Sequence, residues 1–293
     1  MSFSEYLTEQ QALVDAALDR AVPPGSQSPE TIHKAMRYSL FAGGKRVRPI
    51  LCIAACHTVG RRTDGIEHAA ATLELIHTYS LIHDDLPALD NDDLRRGRPT
   101  NHVVFGEAMA ILAGDSLLTR AFQLLAQLNI DPATRCALIE ELSVASGTVE
   151  GMIAGQVRDI EGEKSEPTAE RLDAIHRAKT GALLRASVRM GAIYANATTE
   201  ELAALTTYGE AIGLAFQIVD DILDIEQSSE QLGKTAGKDA AQHKITFPAV
   251  YGLESSKRMA AEQLAKAHQA LDPFGGRALR LRQLADKIVH RDA

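Results

Sequence analysis

Apolar residues recur at helical spacing along almost the whole chain, and this periodicity limits the fold more than any other feature. Residues 198–225, "TTEELAALTTYGEAIGLAFQIVDDILDI", open with a Thr198–Glu201 capping box and stay apolar at that spacing for about seven turns. "SPETIHKAMRYSLFAGGK" has Ser28 as N-cap, Pro29 at the first helical position and Gly43-Gly44 as the stop. Similar patterns fill 65–86, 107–128, 132–160 and 168–194. Alternating runs of Val, Ile and Thr between turn residues are missing, so no sheet is expected. No Gly/Ser linker or tandem repeat divides the 293 residues. The reading is one all-α domain, 1–293, with ten or more helices around a shared core.

Charge and composition exclude some functions. A net charge of -8 argues against a nucleic-acid binder, which carries a basic excess on one face. No apolar run reaches the ~18 residues of a membrane span. "MSFSEYLTEQ" lacks the basic flank and apolar core of a signal peptide, so a cytoplasmic protein is expected. Cys52 and Cys56 stand four apart on an apolar stretch, without a second pair at zinc-site spacing, and read as core filler.

Against this background two acid clusters stand out. "YSLIHDDLPALDNDDLRRG" places five aspartates within ten residues, 84–93, at the end of an apolar helix. In "AFQIVDDILDIEQ", Asp220 and Asp224 share a helix face, with Gln217 one turn earlier. Like charges four apart repel, and the negative pole of the helix dipole disfavours carboxylates at a C-terminal end. A solvated face would mix signs, yet no lysine stands four residues from these acids. Rules broken twice at the same end of two apolar helices point to function.

A hard divalent cation relieves such crowding. Mg2+ takes oxygen ligands and shares its shell with substrate phosphates rather than filling a protein cage. Two carboxylate walls would suit a phosphate chain carrying several Mg2+ ions, with Mn2+ as a possible substitute. Basic residues follow suit: Lys45 and Arg48 in "GGKRVRP", Arg95 and Arg96 in "LRRGRP", and Lys234, Lys238 and Lys244 in "LGKTAGKDAAQHK". Lys179 and Thr180 come from "RAKTGALL".

"LIHDDLPALDNDDLRRGRPT" resembles the first aspartate-rich motif of short-chain trans-prenyltransferases, and "FQIVDDILD" resembles the second. "GGKRVRP", "GEAMAILAGD", "AKTGALL" and "GKDAAQHKITFP" match further motifs in the family's order, from about residue 25 to the C-terminus. The similarity is greatest to the bacterial farnesyl diphosphate synthase type. The resemblance implies an all-α bundle around a deep central cavity, a homodimer, and head-to-tail addition of isopentenyl diphosphate to an allylic diphosphate. It implies that Asp84, Asp90, Asp220 and Asp224, assisted by Asp85, hold Mg2+ against the allylic diphosphate. Arg95 and Lys234 would bind that diphosphate, and Lys244 belongs to the same basic set. Lys45, Arg48, His77 and Arg96 would bind isopentenyl diphosphate. The Lys179 carbonyl, Thr180 hydroxyl and Gln217 amide would face the developing cation. An aromatic residue such as Tyr79, five before Asp84, accompanies a C15 product, and smaller residues accompany C20 or longer; C10 is the remaining alternative.

Two departures from the commoner pattern bear on these roles. The first motif is Asp-Asp-x4-Asp with Pro87 inside, so helix geometry does not place Asp90. The chain ends "VHRDA" where many relatives end in Arg-x-Lys, and no lid role is carried over to Arg291. Other classes fit less well. An HD-type phosphohydrolase needs further His ligands, "SSEQLGKT" lacks the first glycine and the strand of a phosphate-binding loop, and a terpene cyclase has little use for a second diphosphate site.

Overall fold

Helix dominates because the apolar spacing gives each segment a face to bury and supplies no strand pattern. The computed structural model describes residues 1–162, 165–226 and 245–291. Its helices are α1 Phe3–Ala21, α2 Glu30–Leu40, α3 Val47–Val59, α4 Ile66–Asp84, α5 Asn101–Phe105, α6 Glu107–Ala126 and α7 Pro132–Ser146. They continue with α8 Met152–Gly162, α9 Ala169–His176, α10 Ala182–Tyr194, α11 Thr199–Glu226, α12 Phe247–Tyr251, α13 Leu253–Ala270 and α14 Leu279–Val289. A π turn, Arg177–Gly181, joins α9 to α10, and a 3-10 turn, Asp272–Ala278, leads into α14.

The structure departs from the sequence reading in three places. The pattern over 132–160 is two helices, broken between Ser146 and Met152: a Cβ on Gly151 would lie 2.4 Å from the Val144 carbonyl, and its lack allows that close approach. Pro29, not Ser28, is the N-cap of α2. A small hairpin pairs β1 Leu94–Arg95 with β2 Arg98–Pro99 through Arg96 and Gly97, both at positive φ (53° and 71°). Strands of two residues are too short to show alternation. The Thr198–Glu201 capping box is present in both directions, at 2.9 and 3.2 Å.

Residues 1–50 with 65–139 form one compact unit, and 51–64 with 140–293 form another. In the first, α4 packs against α1, α2 and α6, and buries residues on nearly every face from Ile66 to Ile82. In the second, α11 packs against α10 and α13, and its C-terminal half joins a core of Leu172, Ile175, Ile218, Ile222 and Phe247. Each unit thus has one long, largely buried helix, and each of these helices ends in an acid cluster. By length and composition, α6 and α11 could each cross a membrane, where no such run was expected; their 18-residue windows interrupt apolar residues with few charges. Over half of the α11 window, 56%, is buried inside the protein, as in a core helix, against 33% for α6.

Cys52 and Cys56 are fully buried on α3, and burial raises both thiols far above their ordinary range. Beside them α10 crosses very closely: a Cβ on Gly191 would lie 2.1 Å from the Cys52 carbonyl oxygen. Backbone cannot yield as a flexible side chain does, so Gly191→Ala should cost about 2–3 kcal/mol, the usual penalty of overpacking. Urea denaturation checks this, and an unchanged midpoint would show that the two helices part freely.

Candidate active site

The first cluster begins where α4 stops. Asp85 is the C-cap, its N–H bonded to the Leu81 carbonyl at 3.1 Å. Pro87 ends the helical ladder, and the chain then winds back on itself: the Asp90 N–H donates to the Asp84 carbonyl at 2.8 Å, and Asp92 N–H to that of Asp85 at 3.1 Å. Backbone bonds bring Asp90 beside Asp84, which helix geometry could not do. Both remain half-buried. Asp85 points inward: only 3% exposed, it takes Arg95 Nε at 2.7 and 2.9 Å and Nη2 at 2.6 Å. Burial pushes its carboxyl up, against the pull of Arg95. Asp85 and Arg95, expected on metal and diphosphate, are committed to each other in this structure.

Basic groups crowd the same unit. Arg46, with φ of 50°, is buried and donates to Asp15 at 2.8 Å, Glu74 at 2.8 Å and the Leu40 carbonyl at 2.9 Å. This buried pairing ties down the loop that carries Lys45 and leads into α3, where Arg48 lies in the first turn. Arg96 donates to the Gly43 carbonyl of that loop. His77 lies among them: loss of water around its ring, then the guanidinium charges of Arg48, Arg96, Arg95 and Arg46, hold its pKa well below the ordinary value. Burial lowers Arg96 too, and Arg46 and Arg95 add to the effect. So many cations around a neutral imidazole make a site for a polyanion. A small open cleft lies beside it, lined by Tyr38, Thr78, Asp85, Arg95, Arg96 and Arg98.

Tyr79 lies one turn and a half before Asp84, buried at 5% exposure, its ring edge-on to His83 at 5.8 Å. Its hydroxyl finds no hydrogen-bond partner among the described residues, and burial followed by the charge of Asp84 pushes its pKa up to about 12. His83 Nε2 sits 3.0 Å from the Ile111 carbonyl, and a Cβ on Gly114 would lie 2.2 Å from the same nitrogen. The small residue on α6 makes room for the imidazole.

On α11, Asp220 keeps 44% of its side chain exposed, while Asp221 and Asp224 are buried at 3% and 7%. Arg291 bonds Asp220 at 3.0 Å and the Phe216 carbonyl at 3.1 Å, with its guanidinium 4.0 Å over the Phe216 ring. A residue left without a role by the chain's ending thus reaches the second cluster. Asp221 faces the other way and accepts from Gln217 at 2.9 Å, whose amide oxygen accepts from the Thr180 hydroxyl at 2.9 Å. Lys179 and Thr180 stand in the π turn, a distortion often found at functional sites. Lys179 Nζ donates to Asp159 at 2.6 Å, and α8 comes so close that a Cβ on Gly155 would lie 2.1 Å from the Lys179 amide nitrogen. Lys234, Lys238 and Lys244 lie outside the described residues.

Among the described residues no three His, Cys, Asp or Glu side chains gather as a ready metal cage. The carboxylate pairs still suit Mg2+, which needs only one or two protein oxygens when phosphates and waters complete its shell. Residues 29–273 match the family described as polyprenyl synthetase. The chain belongs to this family of prenyltransferases. It is 50% identical to the chloroplastic geranylgeranyl pyrophosphate synthase of Capsicum annuum, over 99% of this chain and 79% of that one. It is 45% identical to the farnesyl diphosphate synthase of Geobacillus stearothermophilus, over 100% of this chain and 99% of that one. The apo crystal structure of an FPP/GFPP synthase from Zymomonas mobilis shares the all-α fold, with a TM-score of 0.87 at 35% identity over 98% of each chain.

Asp221, Asp159, Arg46 and Gly155 were missed from the sequence. Only Asp221 carried a signal there, its spacing of four from Gln217. Two outcomes are expected of this polyprenyl synthetase. Asp84→Asn and Asp220→Asn should each lower turnover by orders of magnitude at saturating Mg2+. The metal-free melting point should hardly move, because Asp220's half-exposed pairing with Arg291 is worth at most about 1 kcal/mol. Near-normal turnover would remove either residue from the metal site. Arg48→Ala should raise the KM for isopentenyl diphosphate roughly tenfold or more, the cost of one charge-assisted contact, and leave that of the allylic substrate nearly alone.

Proposed function

We propose that this chain, acting as one catalytic domain over 1–293, condenses isopentenyl diphosphate head-to-tail with dimethylallyl and then geranyl diphosphate to give farnesyl diphosphate. The observation that carries the transferase reading is the basic cluster of Arg48 and Arg96 around His77, in the same unit as the Asp84–Asp90 pair. One is suited to a diphosphate on its own, the other to a diphosphate with metal. A cyclase or hydrolase would need only the second.

Asp84, Asp90, Asp220 and Asp224 would hold Mg2+, which when bound neutralises charge on the departing diphosphate. Lys45, Arg48, His77 and Arg96 hold isopentenyl diphosphate, and Arg95 with Lys234 and Lys244 take the allylic diphosphate. The allylic C–O bond breaks, the isopentenyl double bond supplies the electrons of the new C–C bond, and the departing diphosphate accepts the proton. The Lys179 carbonyl, Thr180 hydroxyl and Gln217 amide oxygen offer lone pairs to the developing cation without a nucleophile free to trap it. Diphosphate release that proceeds equally well without isopentenyl diphosphate would refute this scheme.

Product length rests on Tyr79. Five residues at 1.5 Å each put it about 7.5 Å behind Asp84 along α4. A buried ring braced on His83 makes a floor for a tail anchored at Asp84. The 50% identity to a geranylgeranyl pyrophosphate synthase favours a second reading, a C20 product. Chain-length separation decides: the wild type should stop at C15 and Tyr79→Ala should continue to C20 or beyond, whereas wild-type C20 would move the floor elsewhere.

A homodimer is proposed with it. Helix α6 is largely apolar yet exposes Ile111 and Leu112 at 45% and 53%, an apolar face that a second copy would cover. Leu112→Glu should then halve the mass seen by light scattering.

A further inference from the structure

Asp221 is the acid that the second cluster does not present. It lies 3% exposed, one residue from Asp220, and both of its oxygens are taken by N–H donors. Oδ1 accepts from Gln217 Nε2 at 2.9 Å, one helical turn back on α11. Oδ2 accepts from the Phe247 backbone N–H at 2.8 Å, at the first residue of α12. His176 closes the far side, its Nε2 3.5 Å from Oδ2 and its ring stacked on Phe247 at 5.3 Å. The carboxylate is therefore fixed from two elements and screened by a third.

This arrangement determines which atom Gln217 shows to its other neighbour. An ionised carboxylate accepts hydrogen bonds and donates none. The amide must turn its NH2 to Asp221, because the reversed amide would press two acceptor oxygens together. Its oxygen then faces Thr180, whose hydroxyl donates to it at 2.9 Å. A hydroxyl committed as donor keeps its own lone pairs for whatever approaches next. One buried carboxylate thus sets the polarity of two groups. Reversed, Gln217 would turn positive hydrogens toward a growing positive charge.

We infer that Asp221 is a positioning residue: it orients the Gln217 amide and the Thr180 hydroxyl as a lone-pair surface for the cationic step and does not ligate metal. The inference rests on the prenyl-transfer reading above. The parallel Asp85 is held by Arg95 instead, so the two inward aspartates have different partners.

The experiment is a double-mutant cycle on the full-length chain, with Asp221→Asn, Gln217→Met and the pair. Steady-state condensation of geranyl and isopentenyl diphosphates gives kcat and both KM values, and calorimetry with inorganic diphosphate present gives Mn2+ affinity. Asp221→Asn lets the amide invert, so kcat should fall roughly 100-fold, the low end of losing one preorganised dipole. Both KM values and Mn2+ affinity should stay unchanged, while Asp220→Asn weakens Mn2+. In the Gln217→Met background, Asp221→Asn should add almost nothing. A wild-type kcat in Asp221→Asn, multiplicative losses in the pair, or a loss of Mn2+ affinity like that of Asp220→Asn would each overturn the role. A wild type that releases no diphosphate in response to isopentenyl diphosphate would overturn the transferase reading as well; an active wild type with multiplicative losses overturns only the role of Asp221.

Should Asp221→Asn fail to fold, Gln217→Glu asks the same question without touching Asp221. Protonated, the introduced carboxyl donates to Asp221 and turns its carbonyl oxygen to Thr180. The deprotonated form would set two carboxylates against each other at the 2.9 Å now spanned by the Gln217–Asp221 bond and lose the orientation that this bond gives, so its kcat, relative to wild type, should be retained at acid pH and fall as the pH rises. A flat ratio across the pH range overturns the role.

Discussion

Carboxylates at the C-terminal ends of buried helices are the constraint around which both units are arranged. Such acids sit against the negative pole of the dipole and lose hydration, so each needs donors close at hand. In each Asp-Asp pair the second residue turns inward and is satisfied by the protein: Asp85 by Arg95, and Asp221 by Gln217 and the Phe247 N–H. The first residue, Asp84 or Asp220, stays partly open. A doubled aspartate therefore divides its labour, with one carboxylate fixing the local structure and its neighbour facing what arrives from solvent.

The electrostatics of the first unit follow the same economy with the signs reversed. Arg46 is neutralised by Glu74 and Asp15, and its buried pairing fixes the loop around it. Lost partners would leave a bare buried charge, which is costly. The arginines around His77 depress its proton affinity rather than share a proton with it.

The helical class was legible in the apolar spacing because a period of 3.6 repeats over many turns and tolerates local noise. What escaped was set by single backbone events. The break between α7 and α8 depends on the close approach at Gly151. The hairpin depends on two consecutive positive φ values, at Arg96 and Gly97. Asp90 is placed by an N–H reaching back to Asp84, which no side-chain periodicity encodes. The acid and basic site residues stood out because they violate the rules of a buried helix. Asp159 and Arg46 did not, since an isolated charge in a helix or loop reads as surface until its partner is seen.

The π turn carries a further consequence, one of length rather than chemistry. Within the turn, Lys179 is held to Asp159 and against Gly155; downstream, Gly191 is locked onto the Cys52 carbonyl. Between two such fixed points the segment has no freedom to rotate, and a residue in excess of the α-helical count is absorbed as a π turn. Removing that excess residue would leave a regular α-helix with the seam at Gly191 still in register, and the residues of the turn, Thr180 among them, would lose the positions that the bulge gives them. Substitutions along this stretch can be accommodated one side chain at a time, but its residue count cannot drift, and lineages descending from this chain should vary here in letter and not in number.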